Sequence, residues 1–262
     1  MPPAARSARP AQHSGYRAGL CPARVRHYHG AMATSTPTLH YIYDPLCGWC
    51  YGAAPLIEAA RGIAGLTIAP HGGGMMTGSN VQPVTDALRR YVMPHDERIA
   101  GLTGQEFGVD YTDGLLRDHG AVFDSAPPTT AVLAADTLAG RGLDLLKRLQ
   151  RAHYVQGLRI ADPAELQRLA EDIGLDAETF RAAYAQADGE ATARHIADSR
   201  ALLTRVGGSG FPTLALEMNG AYSVLEPGRY LGRPSQWQAD LRERLKSVSY
   251  THLRAHETRE DL

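Results

Sequence analysis

Along the chain, the spacing of apolar residues changes period twice. Residues 39–43, LHYIY, form an aromatic and aliphatic run of strand character. Asp44-Pro45 closes it, because proline has no N–H to give to a ladder. From Cys50 the run YGAAPLIEAARGIAG reads as a helix stopped at Gly65. Pro55 inside it predicts a kink through the loss of one backbone hydrogen bond. LTIAP, residues 66–70, predicts a second strand, and strand–helix–strand at this spacing suits a parallel crossover. A helical pattern then holds over residues 84–206. Its helices are predicted from Ser125 to a stop at Gly140, over about 143–157, from Asp162-Pro163 to Gly174, from Asp176 onward, and over 190–206. Asp162 with Glu165 three positions later has the form of an N-terminal cap. Strand character returns at residues 212–218. Asn219-Gly220 signals a two-residue hairpin, AYSVLE is the returning strand, and residues 234–245 close the pattern as an amphipathic helix. The order is β-α-β, a helical block, then β-β-α.

This order predicts an α/β core of residues 37–80 and 207–246 interrupted by a helical insertion at 81–206. Hydrophobic content of 44% is enough for a sizeable core, and a net charge of -1 gives no bias toward nucleic acid or a membrane surface. No run of 18 apolar residues occurs, so no transmembrane helix is expected. The ends differ from the middle. Residues 1–43 hold five arginines and no acid, with no apolar signal-peptide region. We expect residues 1–36 to be a disordered or wrongly included extension, with Met32 the natural start and Cys21 without a role. SVSYTHLRAHETREDL abandons the preceding helical period, and residues 247–262 are expected to be a non-native tail. With no export signal, a cytoplasmic location is expected.

The chemistry concentrates in DPLCGWC, where Cys47 and Cys50 stand three apart at a strand-to-helix junction. Zinc normally takes four protein ligands, and one pair with remote Cys21 and a lone His71 does not supply them, so no metal is expected. A structural disulfide here closes too small a loop to stabilise the fold much. Redox exchange fits better. Cys47 falls at a helix start, where unpaired N–H groups and the macrodipole favour a thiolate. Cys50, one turn further in, is expected to be shielded and to resolve the mixed disulfide that Cys47 forms. Asp44 is expected to cap the active-site turn, the alternative being proton acceptance from a thiol. Trp49 is expected to touch substrate. Gly72 to Gly74 and Gly207 to Gly210 lack the context of phosphate loops and read as turns. Met75-Met76 lines either a peptide groove or the core. Phe211-Pro212, at the mouth of the first returning strand, is either a trans proline opening an edge strand or a cis proline beside the thiol pair, and the latter is expected.

DPLCGWC, GFPTL, QRAHYVQGLRIADPAEL and PGRYLGRPSQW together resemble the DsbA-like thioredoxin-fold oxidoreductases, over about residues 37–246. Within them the nearest likeness is to cytoplasmic proteins described as protein-disulfide isomerases. The resemblance implies a thioredoxin-like fold with a helical insertion, Cys47 as nucleophile, Cys50 as resolving thiol, and Pro212 as a cis proline. With the readings of the residues themselves, Trp49, Phe211 and Pro212 are expected to contact substrate, with Asp44 and Gly48 in support. It also implies disulfide-containing protein or small-molecule substrates and a thioredoxin or glutathione system as reductant. No cofactor is expected beyond glutathione as a redox co-substrate. Periplasmic members carry Cys-Pro-His-Cys, whose histidine helps stabilise the thiolate. Gly48-Trp49 offers no such group, so a strongly oxidising potential does not carry over, and reduction or isomerisation is expected. Two other readings stay open. One is a glutathione-dependent isomerase or transferase of the kappa or 2-hydroxychromene-2-carboxylate isomerase type. The other is a peptide-binding module without catalysis.

Overall fold

The computed structural model of the chain describes residues 36–257, with side chains to Lys246. The expectations for residues 1–35, including Cys21 and Met32, and for 258–262 lie outside the described residues. Strand β1 (Thr38–Tyr43), helix α1 (Gly48–Arg61) and strand β2 (Thr67–Gly72) form the expected β-α-β unit, with β1 and β2 parallel. Pro55 lies inside α1, as the sequence indicated, and the helix ends at Gly62, three residues before Gly65.

A short strand β3 (Gln82–Pro83) leads into α2 (Asp86–Thr103), which Thr85 caps by accepting the Leu88 N–H at 3.1 Å. An irregular stretch follows, with a π turn at Asp110–Gly114. Strand β4 (Val122–Phe123) then pairs antiparallel with β3. Four helices come next: α3 (Ala126–Ala139), α4 (Gly142–Tyr154), α5 (Pro163–Asp172) and α6 (Ala177–Ala187). Helix α7 (Glu190–Arg205) returns the chain to the sheet beside β2. The glycine stop after α3 is real: Gly140 is left-handed at φ 63° and its N–H bonds Asp136 O. Asp176 caps α6 through the Thr179 N–H at 3.0 Å. Asp162 precedes α5 as expected but makes no side-chain cap bond.

Strands β5 (Thr213–Met218) and β6 (Ala221–Leu225) are the predicted hairpin, turning at Asn219 with φ 52° and Gly220 with φ 79°. The main sheet has the order β2-β1-β5-β6, with β5 antiparallel to β1. The last helix, α8, runs Pro234–Glu257, past the expected end at 245. No Gly or Pro occurs in that stretch to break it. Core residues Leu39, Tyr41 and Tyr43 alternate along β1 toward one face, where they meet α1. Trp237 and Leu241 of α8 join the same cluster. The architecture is a thioredoxin-like α/β fold carrying a helical insertion.

Candidate active site

The site begins where β1 stops. Asp44-Pro45 bends the chain, and the Cys47 N–H returns to Asp44 O at 3.2 Å. Cys47 itself occupies the N-cap position of α1 with extended backbone, and its sulfur accepts the Cys50 N–H at 3.4 Å. One orphan donor of the helix start is thus met by sulfur. The same sulfur lies 3.4 Å from the carbonyl oxygen of Phe211, to which the thiol donates. Phe211-Pro212 is the cis bond expected at this place. Cys47 and Cys50 are both free thiols. Both are buried, Cys47 at 6% and Cys50 at 0% exposure, so Cys50 is shielded as expected while Cys47 is not the exposed thiol that the redox reading called for. Burial pushes the Cys50 thiol well up, and the neighbouring Cys47 sulfur adds to it.

Asp44 does more than cap the turn. Fully buried, its carboxylate accepts the Leu46 N–H at 2.9 Å, the Ser125 hydroxyl at 2.9 Å and the Met75 N–H at 2.5 Å. It therefore joins the active-site turn, the segment after β2 and the start of α3. Burial raises its proton affinity, while these three hydrogen bonds act the other way. Ser125 Oγ in turn accepts the Met76 N–H at 3.0 Å.

The segment 72–74 is a wall of the site, not a phosphate loop. Gly73 lies so near Phe211 that a Cβ there would meet the ring at 2.1 Å. From α7, His195 Nε2 accepts the Gly72 N–H at 2.9 Å, and Arg200 donates to the carbonyls of Gly73 and Gly74. On β2, His71 bonds His40 at 2.9 Å, and His40 reaches Glu217 at 2.8 Å, so His71 is a partnered polar residue. Among the described residues no cluster of His, Cys, Asp and Glu is arranged to hold a metal ion.

Between α1, α2 and the 75–88 segment runs a groove of about 670 Å³. Cys47, Trp49, Met75 and Met76 line it, as do Val92 and Asp96 of α2. Helix α2 can close on α1 because residues 48 and 52 are glycine. A Cβ on Gly48 would meet Asp96 Oδ1 at 2.9 Å, and one on Gly52 would meet Ile99 at 2.8 Å. Half-buried Trp49 carries the Arg98 guanidinium 5.7 Å from its ring centre. Sequence reasoning missed Ser125, Asp96, Tyr111, His195 and Arg200. Asp96 alone left a trace, as an acid on the face of α2 that also presents Leu88 and Ile99.

A paired thiol at the start of the first helix of a thioredoxin-like sheet, facing a groove and a cis proline, defines a thiol-disulfide oxidoreductase. The chain belongs to the DSBA-like thioredoxin domain family, whose model matches residues 38–228. No match was found among curated proteins. Among solved structures, it is similar to the cytosolic disulfide reductase DsbM from Pseudomonas aeruginosa. The identity is 58% and the TM-score 0.76, over 80% of this chain and 98% of that one. A second structure of DsbM, with GSH, gives 57% and 0.75, over 80% and 99%. A proposed protein disulfide isomerase from Nitrosomonas europaea is 25% identical with a TM-score of 0.66, over 79% of this chain and 97% of that one. Among the described residues no helix is long and apolar enough to cross a membrane.

Proposed function

We propose that this oxidoreductase works as a cytoplasmic disulfide reductase or isomerase through the Cys47–Cys50 pair. Cys47 attacks a protein or small-molecule disulfide that lies in the groove, with Trp49, Phe211 and Pro212 against the substrate. Cys50 then displaces the product from Cys47, and a glutathione or thioredoxin system reduces the resulting disulfide. Residues 81–206 form the insertion that shapes the groove and so selects the substrate. The observation that carries this reading is the setting of the Cys47 sulfur. It faces the groove, at a helix N-terminus that supplies the Cys50 N–H, while Cys50 sits fully buried behind it. The Cys50 N–H, one of the unpaired donors of the helix start, points at that sulfur. The DsbM structure with GSH supports glutathione as the co-substrate.

Mass spectrometry of two variants in a glutathione redox buffer tests the roles. Cys50→Ser should accumulate a mixed disulfide on Cys47, because the resolving attack is gone. Cys47→Ser should lose disulfide reduction altogether. An adduct that collects on Cys50 in the wild-type protein, or activity that survives both changes, overturns the assignment. The potential of the pair should lie between those of thioredoxin and DsbA, about -270 and -120 mV, and in the lower half of that range.

A further inference from the structure

Two carboxyl groups stand close to the thiol pair, and they differ in what is left for them to do. The acceptor capacity of Asp44 is taken up by Leu46, Met75 and Ser125. Asp96 is 5% exposed, and only one of its oxygens is engaged: Oδ2 accepts the Tyr111 hydroxyl at 3.0 Å. Oδ1 has no hydrogen-bond partner among the described residues. It lies over Gly48, the residue after Cys47, on the wall of the groove that Cys47 also lines. A buried carboxyl with one oxygen held and the other lying unbonded against the helix turn that follows Cys47 is a costly arrangement for stability.

We propose that Asp96 is a catalytic acid that protonates the thiolate leaving a disulfide attacked by Cys47. The inference rests on the assignment of Cys47 as nucleophile. The Cys47 thiolate bonds to the nearer sulfur of R–S–S–R′, and the S–S bond breaks. The electron pair leaves on R′–S⁻, which takes the proton from Asp96 Oδ1 and departs as R′–SH. Tyr111 holds the carboxylate that remains through Oδ2, and groove water returns a proton to it. Each turnover of this step oxidises Cys47 to a mixed disulfide and reduces R′ to a thiol.

The surroundings fit an acid that works near neutrality. Burial pushes the Asp96 carboxyl up to about 7, against a smaller opposing effect of the Tyr111 hydrogen bond. The titratable groups around it are Tyr111 from the 110–114 turn, Tyr154 of α4, Cys47 beside Gly48, and His95 on α2 itself. Among the described residues no Lys, Arg or His forms an ion pair with Asp96 that would hold it ionised.

Leaving-group chemistry tests the role. An aryl disulfide such as 5,5′-dithiobis(2-nitrobenzoate) expels a stable thiolate that needs no proton. Bis(2-hydroxyethyl) disulfide expels an ordinary alkyl thiolate, which leaves more slowly the more basic it is. Asp96→Asn should lower the ratio of alkyl to aryl rates by at least about 10²-fold, the low end of what general acids contribute. Equal slowing of both substrates, or no change in the ratio, overturns the proposal. Tyr111→Phe removes the hydrogen bond to Oδ2, so the alkaline limb of the alkyl-substrate profile should move to higher pH. A limb that stays in place overturns it too. Cys47→Ser, run alongside, separates the two readings: if it keeps turnover of either disulfide, the nucleophile assignment has failed, not the role of Asp96. Melting curves of both Asp96→Asn and Tyr111→Phe confirm that the folded enzyme is compared.

Discussion

Gly73→Ala should damage the site through the ring of Phe211. The added methyl would stand 2.1 Å from Phe211 Cε1, whereas ordinary contact begins at 3.4 Å. One of the two groups must retreat by about 1.3 Å, the difference of those distances. The backbone of residue 73 is held, since its N–H donates to Tyr43 O at 2.7 Å and its carbonyl accepts Arg200 Nε at 2.8 Å. The Phe211 ring is therefore what moves, and with it the carbonyl that faces Cys47 Sγ at 3.4 Å. Overpacking of this kind costs about 1–3 kcal/mol. At roughly 2–4 °C per kcal/mol for a chain of this size, the melting point should fall by about 2–12 °C. A displacement of about 1 Å at a reacting group can cost on the order of 10²-fold in rate. Calorimetry and disulfide-reduction rates measure both losses, and a double-mutant cycle with Phe211→Ala isolates their cause. With the ring removed, Gly73→Ala should be nearly neutral. If the two changes add within about 0.5 kcal/mol, the ring contact is not the origin of the loss and the reasoning fails.

Gly101→Ala supplies the opposite sign: it lies in α2 with open space where the methyl would go, and should stabilise the protein by about 0.5–1 kcal/mol in urea unfolding. His153 is buried among Tyr111, Phe123 and Tyr154, and burial brings its imidazole down to about 3. Because the unfolded chain binds that proton near pH 6.5, stability is full above 6.5 and falls as the pH drops toward 3. The loss from this residue between pH 7 and 5 is roughly 2 kcal/mol, and it should vanish in His153→Leu, as urea unfolding at the two pH values would reveal. Arg200→Lys keeps the charge but cannot span the carbonyls of Gly73 and Gly74 together, so it should cost about 1–2 kcal/mol and slow disulfide reduction. A variant indistinguishable from the parent in both would show that the 72–74 wall needs no clamp.

The flanks of the fold were legible because their signals are local. Asp44-Pro45, the Asn219-Gly220 turn and Gly140 each dictate backbone geometry within a few residues, and the structure places element ends beside them. The places of Cys47 and Cys50 were legible from their spacing at a strand-to-helix junction, and that of Pro212 from the resemblance to the thioredoxin fold. The β3–β4 pair was invisible, since strands of two residues are too short to show a period. The π turn at Asp110–Gly114 and the missing side-chain bond at Asp162 depend on what packs around them, which no window of sequence contains. The hidden part of the site has the same origin. Ser125, Asp96, Tyr111 and Arg200 come from the helical block, and their own neighbourhoods do not say that Ser125 meets Asp44, that Asp96 meets Gly48 and Tyr111, or that Arg200 meets residues 73–74.

The Cys47 sulfur and the Phe211 carbonyl meet across 164 positions of chain. In the sheet, Thr38 likewise pairs with Glu217. A ribosome adding about 5–20 residues per second reaches Phe211 some 8–33 s after Cys47. For that interval β1 lacks its antiparallel neighbour, and the thiol lacks its carbonyl wall. Helices of the inserted block can form in the meantime, since their contacts are near in sequence, but the central strand pair must wait for the long loop to close. The newborn chain thus carries an unguarded dithiol, and the redox centre comes into being only after Phe211 has been added.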